Sequence, residues 1–151
     1  MPLRIELAPN ERLIIGNAAI RNGPRRTEFI IETKTKVLRE RDIITERDAD
    51  TPCKRLYFAL EATYLADDPE PGEARFMAMA EEIMEAVPST APFIAAIFAA
   101  LLAGEHYKAL KRAQALVAHE KRLLAIANGS AEPTEAAELA GTGDPVPSQA
   151  D

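Results

Sequence analysis

The chain has no tryptophan, a single cysteine and two histidines among 151 residues, with three tyrosines and five phenylalanines as its whole aromatic complement. Each scarcity removes a class of function. The lone Cys53 excludes a disulfide framework within the chain and fits a reducing, cytoplasmic compartment. One cysteine and two histidines cannot build a zinc set without carboxylates. His106 and His119 lie 13 positions apart, which fits neither HExxH nor a pair on one helix face. They read as surface or half-buried helix residues. So few aromatics argue against a large base-stacking platform. The most apolar run, 91–103, is too short to cross a bilayer, so it reads as a buried helix and no membrane is expected. No N-terminal stretch joins a basic start, an apolar run and a cleavage site, so no secretory signal is read. GxGxxG, Walker A and GxSxG are all missing. Cys53 follows a helix start, which can lower a thiol pKa, but a small packed side chain is the plainer reading. No constellation supports catalysis, and the sequence is read as no enzyme, with no cofactor and no metal.

What is present is a domain-sized chain with charge unevenly distributed. The length suffices for one core without staples. Residues 1–55 hold 12 Lys/Arg against 9 Asp/Glu, residues 56–127 hold 6 against 10, and residues 128–151 hold none against 5. The basic excess concentrates between Arg12 and Arg39, where seven cations meet only Glu28 and Glu32. A basic front and an acidic rear give one chain two different surfaces for partners.

The first forty residues have the signature of strands. Leu3, Ile5 and Leu7 alternate with polar or small residues, a period of two that puts them on one face. Pro9-Asn10 reads as a turn. Runs 12–15 and 18–21 are stopped by Gly16-Asn17 and by Asn22-Gly23-Pro24, the latter read as a tight reversal with positive φ. Residues 25–33 form the longest strand candidate, with Phe29 and Ile31 on one face and Glu28, Ile30 and Glu32 on the other. Residues 36–39 are a fifth. Residues 39–50, dense in both charges, read as a connector with about one turn of helix.

Thr51-Pro52 then starts a helix, with a hydroxyl at the N-cap and proline at the first position. Its stripe is Leu56, Leu60 and Tyr64, widened by Tyr57 and Phe58. Residues 67–72 read as a loop. A second helix is predicted over 73–87 with Phe76, Ala80, Ile83 and Val87 on one face, ended by Pro88. A third places Phe93, Ile97 and Leu101 in line and closes at Gly104. The fourth, 105–127, carries Tyr107, Leu110, Val117 and Leu124 and stops at Asn128-Gly129. The last segment is Ala, Glu, Gly, Pro and Thr without a base, too polar to offset its ordering entropy.

The expected fold is therefore α+β: a small antiparallel sheet of about five strands packed with about four helices. Residues 1–50 are the basic sheet region with its connector, 51–128 the helical region of the same compact domain, and 129–151 a disordered acidic tail. The candidate site is the basic strand region. Arg21, Arg25 and Arg26 bracket the Asn22-Gly23-Pro24 turn, and Arg12, Lys34, Lys36 and Arg39 lie on or beside neighbouring strands. Paired strands would gather these cations on one face to meet phosphates and release counterions. Arginine can also stack on unpaired bases and bond their edges. The competing reading is a solvated face whose charges keep sheet edges apart. In the helical half, Met77, Met79 and Met84 would line either a groove for a partner helix or simply the core.

Several segments resemble one family. Met1-Pro2-Leu3-Arg4-Ile5, Pro9-Asn10-Glu11-Arg12 before an apolar strand, and Ile20 to Thr27 are similar to FlbT proteins of alphaproteobacteria. So are residues 38–44, 51–60 and 107–110, in that order along residues 1–128. The resemblance implies post-transcriptional control. FlbT-like proteins associate with the 5′ untranslated leader of flagellin mRNA and lower its translation or lifetime, in opposition to a FlaF-type partner. It implies no catalytic residues, and it leaves open an adaptor that binds flagellin, its chaperone or a FlaF-like protein, with only indirect effects on RNA. A fainter likeness, to CsrA-type translational regulators, rests on Pro9-Asn10-Glu11 and Leu13-Ile14-Ile15-Gly16. There Asn stands for the turn Gly, and the helices after Thr51 have no counterpart. Exposed sheet edges leave a homodimer open as well.

Overall fold

A computed structural model describes residues 2–129. The expected acidic tail lies, apart from Gly129, outside the described residues. Five strands precede four helices: β1 (Leu3–Leu7), β2 (Arg12–Ile15), β3 (Ala18–Arg21), β4 (Thr27–Ile31), β5 (Val37–Arg39), α1 (Pro52–Leu65), α2 (Glu70–Ala86), α3 (Ala91–Leu102) and α4 (His106–Ala127). Single 3₁₀ turns at Glu40–Asp42 and Pro88–Thr90 precede α1 and α3. The chain divides into two compact units, residues 1–115 and 116–151. All packing described below is within the first. Of the second, the described part is the latter half of α4 and its stop. No helix among the described residues is long and apolar enough to cross a membrane.

The fold is α+β, with the strands divided between two small antiparallel sheets. β1 pairs with β4, and the other three strands run in the order β3-β2-β5. The period-two pattern explains what faces what. Ile5 sits opposite Phe29 and Leu3 opposite Ile31. Leu13 and Ile15 share the face of the second sheet that carries Val37. Ile5, Leu7 and Leu13 are fully buried together, and Ile15, Phe29, Ile31 and Val37 pack around them. The apolar faces of both sheets thus close on one small core, as in a sandwich. The tight hairpin joins β2 to β3 through Gly16-Asn17, with Gly16 at φ 60°. Asn22-Gly23 is a different device from the one expected. β3 and β4 do not pair, Gly23 carries no positive φ, and the turn passes the chain from one sheet to the other.

α1 begins as the sequence dictates. The Thr51 hydroxyl accepts from the Lys54 amide at 3.2 Å, with Pro52 first in the helix. Cys53, Leu56, Tyr57, Ala59 and Leu60 are buried. α2 starts three residues earlier than expected, within the stretch read as a loop. Pro71 is tolerated there because first-turn amides have no helical partner anyway. The side chain of Asp68 accepts from the Glu70 amide. Gly72 is required: a Cβ there would collide with the Thr63 hydroxyl and lie 3.0 Å from its Cβ. Glycine therefore marks a close approach of α1 and α2, not a break. Buried positions are Phe76, Ala80 and Ile83.

α3 ends at Gly104, where φ is 76°. The Gly104 amide donates to Leu101 O and the Glu105 amide to Ala100 O, the paired bonds of a Schellman stop. Ile94, Ile97, Ala100 and Leu101 are buried, but Phe98 and Leu102 are exposed. The helix expected to be buried is thus only half so. α4 also turns a different face inward. Ala109, Leu110 and Ala113 are inaccessible to solvent, while Tyr107 is exposed. Two of these inward positions are alanines, which a stripe of large apolar residues does not reveal.

Candidate nucleic-acid interface

The crossing between the two sheets is fixed by Asn22. Its side-chain amide donates to Leu7 O, Ala8 O and Arg25 O at 3.3, 2.8 and 2.8 Å. Its Oδ1 accepts from the Thr27 hydroxyl at 2.9 Å. The Asn22 amide donates to Glu11 O, and the Asn10 amide donates to Gly23 O. Asn10 holds φ at 63°, a left-handed value that asparagine tolerates. The Glu11 carboxylate in turn accepts from the Ala8 amide at 2.8 Å. One side chain therefore stitches the β1–β2 turn to the β3–β4 turn.

Four of the seven candidate cations lie at or beside this crossing. Arg12 and Arg21 stand directly opposite each other on β2 and β3. Like charges in that position repel, and each is drawn to a separate acceptor. Arg21 donates to Asn10 O at 3.1 Å, and Arg12 lies 3.9 Å from the Glu40 carboxylate. Arg26 pairs with Glu6 at 3.1 Å while 68% exposed. The exposed Arg25 side chain has no ion-pair partner among the described residues.

Of the other three, only the two lysines lie away from these contacts. Arg39 shares the face of Leu13, reaches Glu6 O at 2.8 Å and lies 4.0 Å from Glu11. Lys34 is exposed in the β4–β5 connection. Lys36 turns to the end of α1, donating to Ala66 O at 2.9 Å and lying 5.9 Å from the Tyr64 ring centre. The pairs with Glu6 and Glu40 are solvated, each worth about 0–1 kcal/mol and screened by salt. A phosphate can displace such carboxylates.

A second polar group, illegible in the sequence, is built on Asp42. This residue is buried, yet its carboxylate is filled with donors: Lys111 Nζ at 3.0 Å, Gln114 Nε2 at 3.0 Å and the Tyr107 hydroxyl at 3.1 Å. Tyr57 donates to the Asp42 carbonyl at 2.6 Å and accepts from Gln114 at 3.0 Å. Burial pushes the Asp42 carboxyl up, but those three donors and the Lys111 charge outweigh it, and its pKa lies below the ordinary aspartate value. Nearby Glu61 is also buried, with one bond from the Ile44 amide at 2.8 Å. Its burial dominates and its pKa is raised. Burial likewise pushes Tyr57 up to about 12. Where Lys36 meets Tyr64, a cavity of about 460 Å³ opens, lined also by Tyr107, His106 and Lys108. Among the described residues no three of His, Cys, Asp and Glu could hold a metal ion.

Comparison with known proteins decides the family. The model of the family described as flagellar protein FlbT matches residues 3–124. The chain belongs to the FlbT family. It is 40% identical over 124 residues to a protein of Bradyrhizobium diazoefficiens named probable flagellum biosynthesis repressor protein FlbT 1, covering 82% of this chain and 85% of the relative. A relative in Rhodopseudomonas palustris with a corresponding name is also 40% identical, over 82% and 98% of the two chains. The flagellum biosynthesis repressor protein FlbT of Caulobacter vibrioides is 32% identical, over 82% and 90%. No solved structure matches. The FlbT match takes in every candidate cation, the Asp42 group and the tyrosine-lined cavity, but only part of α4 and none of the tail.

Proposed function

We propose that this FlbT protein is a post-transcriptional regulator of flagellin synthesis. It holds the 5′ untranslated leader of flagellin mRNA on the sheet crossing and so blocks ribosome access or exposes the message to decay. The repressor names of its relatives support a regulatory role in flagellum synthesis, and a regulator of this kind acts by binding and not by catalysis. The observation that carries the RNA reading is the rigid Asn22 crossing, which displays Arg21, Arg25 and Arg26 from one short turn. Arg12 stands beside them across the ladder. Lys34, Lys36 and Arg39 add positive potential along the rest of the leader's path. Acting on a message places the protein in the cytoplasm.

The test is binding of purified protein to the flagellin leader across a salt series. Affinity should fall steeply as salt rises. Replacing Arg21, Arg25 and Arg26 together with alanine should flatten that slope by about three phosphate contacts. Unchanged affinity in folded triple variant rejects the site.

A second reading is favoured by one observation. Met77, Phe98 and Leu102 are exposed beside a shallow apolar cavity of about 320 Å³ between α2 and α3. In this reading the helices dock a flagellar protein such as flagellin or a FlaF-like partner, and effects on RNA are indirect. It requires that Leu102→Glu abolish capture of that partner in a pull-down while leader binding is absent from the wild type.

A further inference from the structure

The cavity at the end of α1 combines two kinds of chemistry. Tyr64 and Tyr107 meet with ring centres 5.7 Å apart and planes inclined at 52°. Both line the cavity, and Tyr107 remains 39% exposed. Tyr107 keeps part of its ring exposed beside Tyr64, and a further flat group can pack against that surface. Around it stand Lys36, Lys108 and His106, with one carboxylate, Glu105. Lys111 lies 5.8 Å from the Tyr107 ring centre, which fixes the ring without entering the cavity wall.

The cations are only lightly engaged. Lys36 spends one of its three donors on Ala66 O. Lys108 faces Glu105 at 3.6 Å, an exposed pair of one helix start that salt and a competing anion displace. His106 is held more firmly, with Nε2 2.7 Å from Glu73 Oε2, and so acts as wall. The volume suits one small ligand. Aromatic face and ammonium groups side by side are what an unpaired nucleotide requires: a base to stack and a phosphate to neutralise.

We propose that this cavity seats one unpaired nucleotide, with its base on the Tyr64–Tyr107 pair and its phosphate against Lys36 and Lys108. The inference rests on the reading that the protein binds RNA, and it adds a site distinct from the arginine turn. Lys36, just before β5, turns to line this pocket, so it belongs here and not with Arg21, Arg25 and Arg26. The occupant is either a nucleotide of a single strand or a free mononucleotide, and the experiment separates them.

A fluorescein-labelled six-residue oligoadenylate and AMP are titrated into the full chain, reading anisotropy and tyrosine emission. With no tryptophan, stacking is reported by quenching of tyrosine itself. Tyr64→Leu should weaken oligoadenylate binding about tenfold, Tyr64→Phe should restore it, and Lys108→Gln should lower the salt slope by about one. Competition by AMP assigns the pocket to free nucleotide as well, and its failure to compete assigns it to a strand. Both keep the site. If oligoadenylate binds while Tyr64→Leu and Lys108→Gln, each with a normal melting curve, leave it unchanged, the pocket is overturned and the leader reading stands on its arginines. If neither oligoadenylate nor the leader binds the wild type, both readings fall together.

Discussion

The Asp42 carboxylate and the Lys111 ammonium, 69 positions apart, meet at 3.0 Å with the aspartate 99% withdrawn from solvent. Gln114 and Tyr107 complete the donors, so the start of α4 is tied to the turn before α1 by charge as well as by packing. Removing one member of such a group leaves a buried partner unpaired. Asp42→Asn should cost about 2–4 kcal/mol in denaturant unfolding. A cost below about 0.5 kcal/mol would mean that the group adds nothing.

The two buried carboxylates should respond oppositely to acid. The folded pKa of Asp42 is depressed, so its contribution is present above the unfolded value and lost as pH falls through the folded one. That of Glu61 is raised, so the ionised form costs stability at neutral pH and protonation relieves it. Glu61→Gln keeps an acceptor for the Ile44 amide and should stabilise the protein at pH 7 by about 1 kcal/mol. The gain should shrink as pH drops toward 4. Thermal melts of the two variants across pH 3–7 check both signs.

Tyr57 gives the alkaline counterpart. With its pKa raised to about 12 by burial, its contribution is complete below the ordinary tyrosine value and lost as pH rises from about 10 through 12. Tyr57→Phe should remove that dependence and cost about 1–3 kcal/mol at pH 7, because the Asp42 carbonyl loses its donor. Absorbance titration at 295 nm follows the ionisation.

Asn22→Asp keeps the acceptor for Thr27 but loses the donors to Leu7, Ala8 and Arg25. It should destabilise by about 1–3 kcal/mol and loosen the display of Arg21, Arg25 and Arg26. Leader affinity should fall even though no cation is removed. The gel shift should therefore weaken more than one added negative charge explains, which Asp at the neighbouring exposed Gly23 would calibrate.

Gly72→Ala should destabilise by about 1–3 kcal/mol through collision with Thr63. The double variant with Thr63→Ala should recover part of the loss, since it removes the opposing hydroxyl. Additive losses in a double-mutant cycle would refute the contact.

Much of the fold was legible because it rests on local pattern. Thr51-Pro52, Gly104 and the alternation at Leu3, Ile5 and Leu7 each announce an element by chemistry within a few residues. Partner choice was not legible. Period two assigns a face to Ile5 and Phe29 but does not say that β1 joins β4. Pro71-Gly72 reads as a breaker because its second meaning, a helix start pressed against Thr63, depends on a residue in another helix. The cations of the basic stretch were plain in composition, yet Lys36 leaves them for Tyr64. Asp42 looked like one charge among many in a polar connector. Only the meeting with Lys111 and Gln114 distinguishes it, and no spacing rule joins positions so remote.

The small core of Ile5, Leu7 and Leu13 has a kinetic consequence. Ile15 is near in sequence, but the other walls come from Phe29, Ile31 and Val37, so the first strand must wait for a partner strand at Thr27–Ile31 before this surface is fully hidden. Helices nucleate from near neighbours, whereas such distant closures pay loop entropy first. The strand half should therefore be the last part to acquire amide protection during refolding, appearing after the helical signal in pulsed hydrogen exchange.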